Sequence, residues 1–185
     1  MKIHLLRHGK TAANQQRLYC GATDIPLAPE GIAELATLKT QNIYPCFTGE
    51  FFTSGLQRTT QTLGVLYGAV KSTPLPQCAE FHFGAFEMQS YDMLKNDPSY
   101  QQWITDEAGT FECPGGESRV VFTQRVLAGY EILQQCSTDV LLVCHGGVIA
   151  TLMDSIYPNT QNFYQWQPAP GRGYTITVGE GYEAI

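Results

Sequence analysis

The chain has 185 residues, of which 43% are apolar and 15% charged, and its net charge at pH 7 is −6. This composition is typical of a globular protein with a hydrophobic core and excludes a disordered chain. The negative charge argues against nucleic acid as the main partner, and no apolar run approaches the roughly 18–20 residues needed to cross a membrane.

Predicted strands and helices alternate along the first half of the chain. The predicted strands cover residues 2–6, 50–53 and 75–79. Pro29 stands where a helix can begin. The apolar face of that helix would consist of Ile32, Leu35, Ala36 and Leu38. A second helix is indicated by a spacing of i, i+4, i+7 and i+11 in Leu56, Thr60, Leu63 and Tyr67.

The second half opens with residues 81–118, which are rich in aromatic side chains and weakly periodic. We expect this stretch to pass over the sheet as a lid or substrate-facing excursion with one or two short helices. A helix over residues 117–135 and a continuously apolar central strand over 140–144 follow. The next helix is marked by Val148, Ile149, Leu152, Met153 and Ile156. Two late strands are predicted over residues 163–167 and 174–178.

The alternation predicts one domain over residues 1–185, a three-layer α/β/α sandwich with a mostly parallel central sheet. The six cysteines form no C-x-x-C pair and no zinc-type spacing, so we expect reduced thiols and no metal site. The apolar stretch after Met1 is too short for the core of a signal peptide, which favours a cytoplasmic protein. The sequence does not indicate an oligomeric state.

Three predicted strand exits carry residues suited to chemistry. The first is Arg7-His8-Gly9-Lys10, the second leads from Ser54 to Arg58, and the last is His145-Gly146-Gly147. Parallel sheets bind ligands at the carboxyl ends of their strands. We therefore expect two histidines and two arginines to converge at one edge of the sheet.

This set of residue types suits a phosphate ester. Arginine guanidinium groups match phosphate oxygens in a bidentate geometry, and a neutral imidazole can attack phosphorus. The leaving alcohol then needs a proton, and Glu80, at the end of the third predicted strand, can supply it if apolar neighbours raise its pKa. Phe81 and Phe83 are such neighbours.

Structural interpretations compete with these functional ones. Taken singly, His8, Arg58 and Glu80 each have an ordinary structural or surface explanation, and the functional interpretation depends on their joint occurrence at successive strand exits. His4 and His82 are interpreted as structural residues. Lys10 either points to solvent or adds attraction for an anionic substrate at the rim of the site.

The motifs together resemble the histidine phosphatase superfamily, also called the phosphoglycerate-mutase-like family. Leu5 to Thr11 resembles its R-H-G-[EQ]-T signature, with Lys10 in place of the usual Glu or Gln. The further matches run in the family's order over residues 2–153. They are Asn14, Tyr19-Cys20-Gly21, Asp24 to Leu27, Gly31, Ser54 to Thr62, Glu80 with Phe83-Gly84, and Val143 to Ile149. Phe86-Glu87-Met88 departs from the W-E-G of many relatives.

The resemblance implies that His8 is the phosphorylated nucleophile and that Glu80 is the proton donor. Arg7, Arg58 and His145 would form the phosphate pocket, and the contributors to substrate or phosphate binding would be Asn14, Gly21, Lys10 and Gly146. The resemblance also implies no metal and no cofactor. The partner expected is a phosphorylated small molecule.

Within the superfamily, Pro114-Gly115-Gly116-Glu117-Ser118 after Trp103 and the short chain resemble the α-ribazole phosphatases most. These enzymes remove the 5′-phosphate of a nucleotide precursor of cobalamin. The alternatives are a broad sugar-phosphate phosphatase, a phosphoglycerate-type mutase and a protein phosphatase. A catalytically silent domain that binds a phosphorylated ligand is a further alternative from another class.

Overall fold

The computed structural model describes residues 1–185 and has one six-stranded sheet. The strands are β1 (Lys2–Arg7), β2 (Glu50–Thr53), β3 (Ser72–Pro74), β4 (Val140–Cys144), β5 (Gly173–Thr177) and β6 (Gly181–Ala184). Their order across the sheet is β3-β2-β4-β1-β5-β6. The four strands from β3 to β1 are parallel, whereas β5 and β6 run antiparallel to their neighbours.

Helices cover both faces of this sheet. They are α1 (Ala12–Gln16), α2 (Pro29–Thr40), α3 (Gln57–Tyr67), α4 (Tyr91–Leu94), α5 (Pro98–Thr105), α6 (Arg119–Gln134) and α7 (Gly146–Ile156). One apolar cluster joins Leu35 of α2 and Leu63 of α3 to the sheet, and a larger one joins Val126 of α6 and Ile149 of α7 to the opposite face. The predicted three-layer α/β/α sandwich is therefore confirmed.

Strand β4, in the interior of the sheet, is buried on both of its faces. All five of its residues are apolar and buried. Successive side chains of a strand point to opposite faces. Leu141 and Val143 accordingly pack in the smaller cluster under α2 and α3, while Val140, Leu142 and Cys144 pack in the larger cluster under α6 and α7.

Two predicted strands are wrong. Residues 75–79 contain a 3₁₀ turn over Pro76–Cys78, and the edge strand lies just before it, at β3. Pro76 favours this because its fixed φ suits the first position of a helical turn and it has no N–H for a sheet. Residues 163–167 contain a second 3₁₀ turn, Phe163–Trp166, which begins at a capping box between Asn162 and Gln165.

Smaller differences concern element boundaries and faces. Helix α6 begins at Arg119 because the Ser118 hydroxyl accepts the amide of Val121 as its N-cap. The buried face of α2 is formed by Gly31 and Leu35, and Ile32 is exposed. Strand β6 and helix α1 were not predicted. Residues 81–118 contain the two short helices α4 and α5, as expected.

All six cysteines are free thiols. No helix of the structure combines the length and the apolar character that a membrane span requires.

Candidate active site

Three strand ends meet at the carboxyl edge of the sheet. Strand β4 lies between β2 and β1, and Val143 is in register with both Leu6 and Thr53. The residues that follow the strands are therefore neighbours. The amide of His8 donates to the carbonyl of Cys144 at 3.0 Å. The structure thus brings together the strand exits that the sequence singled out.

His8 and His145 lie face to edge, with ring centroids 5.1 Å apart. Nδ1 of His8 is 2.7 Å from the carbonyl oxygen of Gly9. A carbonyl can only accept, so Nδ1 carries the hydrogen and the lone pair lies on Nε2. Nε2 of His145 is 2.8 Å from the hydroxyl of Ser54. Each ring is therefore oriented through one nitrogen, with the other left unpaired.

Burial keeps both imidazoles neutral. It lowers the pKa of His8 to about 3, and the positive charges of Arg58 and Arg7 act in the same direction, while the bond to Gly9 opposes them. The pKa of His145 is also lowered, first by burial and then by electrostatic interaction with His8 and Arg58. At neutral pH the site contains two uncharged imidazoles, both within electrostatic reach of two guanidinium groups.

Two arginines are held by backbone carbonyls. Nη1 of Arg7 donates to Pro168 at 2.8 Å. Nη1 and Nη2 of Arg58 donate to the carbonyls of Thr23 and Gly21 at 2.9 and 2.7 Å. Both guanidinium groups are thereby oriented by carbonyls and form no salt bridge, and the only carboxylate that acts electrostatically on Arg7 is that of Glu80. Their positive charge stays available to an anionic ligand.

Three buried nitrogen atoms in this region have no hydrogen-bond partner. They are Nε of Arg7, Nε of Arg58 and Nδ1 of His145. Buried polar groups are nearly always satisfied, so the grouping of three unsatisfied nitrogens from three different elements favours a ligand that binds there. A tetrahedral oxyanion such as phosphate offers several acceptor oxygens to such a set.

Glu80 follows a 3₁₀ turn and a single extended residue, not a strand as predicted. Its carboxylate accepts the amide of Gly147 at 3.0 Å and its neighbour's amide, that of Phe81, at 3.0 Å. Gly147 lies in the first turn of α7, where backbone donors have no partner inside the helix. The predicted apolar surroundings of this carboxylate are thus replaced by two backbone donors.

Sequence reasoning missed Glu87. Its carboxylate accepts the amides of Gly21, Ala22, Thr23 and Phe83 and the hydroxyl of Thr23. Burial alone would raise the pKa of Glu87, but these hydrogen bonds lower it. Glu87 thus holds the loop whose carbonyls hold Arg58. The sequence signal for this residue is Phe86-Glu87-Met88, which departs from the W-E-G of many relatives but keeps the glutamate.

The other predicted binding residues take three different positions. Oδ1 of Asn14 accepts the amide and hydroxyl of Thr11 at the start of α1, which leaves its Nδ2 hydrogens free. A side chain on Gly146 would come within 3.1–3.3 Å of the Arg7 guanidinium. Nζ of Lys10 is paired with Glu34 at 2.7 Å on the surface of α2. The structure does not bring Lys10 into the cluster.

An α/β sandwich with this cationic, histidine-containing cluster at its carboxyl edge belongs to the class of enzymes that act on phosphate esters. The family model of the histidine phosphatase superfamily (branch 1) matches residues 3–182. The chain belongs to this superfamily, and it is a phosphatase, a hydrolase.

Curated relatives match most or all of the chain. An adenosylcobalamin/alpha-ribazole phosphatase of Salmonella typhimurium is 34% identical over 193 residues, covering 100% of this chain and 94% of the relative. A relative from Yersinia pestis named "Probable phosphoglycerate mutase GpmB" is 28% identical, and the match covers 84% of this chain and 74% of the relative. The resemblance to this superfamily and to its α-ribazole phosphatases is therefore confirmed.

Solved structures agree with the fold. A phosphoglycerate mutase from Thermus thermophilus superposes with a TM-score of 0.77 at 28% identity, and the match covers 99% of this chain and 96% of the mutase chain. A structure from Escherichia coli K-12 reaches a TM-score of 0.85 at 24% identity, covering 100% and 94%.

Proposed function

We propose that this chain is a phosphomonoesterase that transfers the phosphoryl group of a small-molecule ester to Nε2 of His8 and then to water. The observation that carries the proposal is the state of the His8 ring. Its Nδ1 donates to Gly9, so the lone pair is on Nε2, and a pKa of about 3 leaves that lone pair free at neutral pH. A neutral imidazole can attack phosphorus and divide the hydrolysis into two easier displacements.

In this proposal Arg7, Arg58 and His145 bind the phosphoryl oxygens. The unpartnered nitrogens of these three side chains support it. In the proposal the Ser54 hydroxyl, 2.8 Å from Nε2 of His145, is assigned as the donor, which places the ring hydrogen on Nδ1, where it is available to an oxygen. Phosphoryl transfer depends mainly on such positioning and charge stabilisation.

Four further predicted residues have different parts in the proposal. The free Nδ2 of Asn14 and the amide of Gly146, which has no acceptor within α7, can take remaining oxygens. Gly21 acts indirectly, because its carbonyl orients Arg58. The pairing of Lys10 with Glu34 favours a surface role for Lys10. Residues 81–118 would cover the bound substrate.

Glu80 is proposed as the proton donor. In the first step the bond from Nε2 to phosphorus forms, the ester P–O bond breaks, and Glu80 gives its proton to the leaving oxygen. In the second step water attacks phosphorus, Glu80 takes a proton from it, and the N–P bond breaks to release phosphate. The Glu80 carboxylate accepts the amide of Gly147, which is two residues after His145 in the first turn of α7. This position beside the phosphate cluster supports the role of Glu80 as proton donor.

The substrate we propose is α-ribazole 5′-phosphate in cobalamin synthesis. The names of the Salmonella relatives and the Pro114-Gly115-Gly116-Glu117-Ser118 element support this choice. The second candidate is a phosphoglycerate-type mutase, which is favoured by the names of the Yersinia relative and of the Thermus structure. In a mutase the phosphohistidine would return its phosphoryl group to a bound acceptor instead of to water.

The test is turnover of α-ribazole 5′-phosphate, 3-phosphoglycerate with its bisphosphorylated activator, ribose 5-phosphate and a phosphoserine peptide by the full chain. We expect inorganic phosphate as the product and the highest kcat/KM on α-ribazole 5′-phosphate. Rapid quench should trap an acid-labile phosphoenzyme on His8 that a folded His8→Asn variant lacks. Label on another residue would overturn the mechanism, and isomerised phosphoglycerate without free phosphate would favour the mutase.

A further inference from the structure

Glu80 lies in a segment that has no regular secondary structure to position it. After the turn Pro76–Cys78 the chain runs through residues 79–83 without strand or helix. A proton donor must lie within hydrogen-bond reach of the oxygen that it protonates, and an error of about 1 Å can cost on the order of 10²-fold in rate. Other side chains must therefore supply the precision.

Arg125 of α6 holds this segment through its backbone carbonyls. Its Nη1 donates to the carbonyls of Gln77 and Ala79 at 2.9 and 2.7 Å, and its Nη2 donates to the carbonyl of Glu80 at 2.9 Å. Three carbonyls of the segment that presents Glu80 thus converge on one guanidinium group. Such a rigid, planar set of five donors cannot be reproduced by lysine.

Glu117 completes the arrangement. Its two oxygens accept from Nε and Nη2 of Arg125 at 2.9 and 2.6 Å, so all five guanidinium hydrogens are used. The same carboxylate accepts the amide of His82 at 2.8 Å. The side chains of this pair are only 25% and 11% exposed, and well-ordered bidentate pairs of this kind are more rigid than surface pairs.

The aromatic face of α6 restricts Arg125 further. The guanidinium carbon lies 4.8 Å from the centre of the Phe122 ring. That ring in turn packs against Phe81, the residue after Glu80, with centroids 5.3 Å apart. The backbone is therefore held before, at and after Glu80, while the Glu80 carboxylate is held only by two backbone amides.

We propose that Arg125 and Glu117 are positioning residues that set the location of the Glu80 carboxyl group. This inference rests on the proposed role of Glu80 as proton donor. It assigns a kinetic consequence to a pair that does not touch the phosphate cluster. Replacing the arginine fork should let Glu80 drift and should slow those reactions most in which the leaving group needs a proton.

The experiment compares kcat/KM on phenyl phosphate and 4-nitrophenyl phosphate, two similar substrates whose leaving groups differ in basicity. The ratio kcat/KM reports only on the steps up to formation of the phosphoenzyme. In those steps a donated proton accelerates the departure of the more basic phenolate more than that of 4-nitrophenolate. Arg125→Lys should lower kcat/KM about 10–100-fold on phenyl phosphate and less than about threefold on 4-nitrophenyl phosphate. Arg119→Lys, an exposed substitution on the same helix, should change neither.

The decisive arm is Arg125→Lys in a Glu80→Gln background, where the substitution should have no further effect on either substrate. An equal loss on both substrates, or a further loss in that background, would overturn the inference. Should Arg125→Lys not fold, Glu117→Gln, which keeps shape and weakens the hold on Arg125, must show the same selective loss. If Glu80→Gln alone reduces both substrates equally, the proposed proton donation fails, and that result is distinct from a failure of the positioning role.

Discussion

Gly147→Ala tests whether the location of the Glu80 carboxylate controls catalysis. A Cβ atom on Gly147 would lie 2.4 Å from Oε1 of Glu80, whereas ordinary contact begins near 3.4 Å, so the carboxylate must retreat by about 1 Å. We expect kcat/KM on phenyl phosphate to fall on the order of 10²-fold. The decrease on 4-nitrophenyl phosphate should be much smaller.

A moderate loss of stability is expected in the same variant. The bond from the Gly147 amide to Glu80 weakens, which costs about 1.5–3 kcal/mol for a charged acceptor, but alanine is favoured over glycine in a helix by up to about 1 kcal/mol. The net loss in the free energy of unfolding is therefore about 0.5–3 kcal/mol. A folded protein with impaired chemistry is the expected result.

Gly64→Ala is the matched control. Gly64 also lies in a helix, α3, and nothing is within 4 Å of the position of its added Cβ. This variant should gain up to about 1 kcal/mol in the free energy of unfolding and keep its activity. Urea unfolding and steady-state kinetics on both phosphates measure the two effects. If Gly147→Ala keeps full kcat/KM on phenyl phosphate, the argument that this contact positions a proton donor is refuted.

Three further predictions concern acid stability, Lys10 and metals. The pKa of His8 is about 3 in the folded state and about 6.5 in the unfolded chain. Between about pH 6.5 and 3 only the unfolded chain binds a proton at His8, so the folded state loses stability as pH falls below about 6.5. Between pH 7.5 and 4.5 the wild type should lose about 2–3 kcal/mol more than His8→Asn in urea unfolding, and an equal loss would contradict the neutral, buried imidazole. Lys10→Gln should leave kcat/KM within about twofold at low ionic strength, because Lys10 forms an exposed pair with Glu34. A rise in KM that disappears at high salt would instead show that Lys10 attracts the anionic substrate at the rim of the site. Activity should survive EDTA, and vanadate should inhibit the enzyme. A full loss of activity with EDTA that a divalent ion reverses would count against a phosphate site whose cations are side chains.

The sequence alone determined the architecture and the groups at the strand exits. An apolar run such as Val140–Cys144 identifies a central strand, and the carboxyl ends of parallel strands necessarily share one edge of the sheet. Residues such as His8 and His145 could therefore be placed together from the sequence. Short edge elements such as 75–79 could not be assigned in this way, since an apolar run of that length fits a strand or a turn equally well.

Only the tertiary structure decided how those groups are oriented and supported. The contacts that orient Arg58, Glu80 and Lys10 come from residues distant in sequence, namely Glu87 through its loop, Arg125 and Glu34. Local periodicity contains no information on such contacts, because they depend on which faces of the helices and loops pack together. The physical reason is one of range. The pattern of apolar residues sets the local geometry, whereas a hydrogen bond between separate elements forms only after the core has brought its donor and acceptor atoms within about 3 Å.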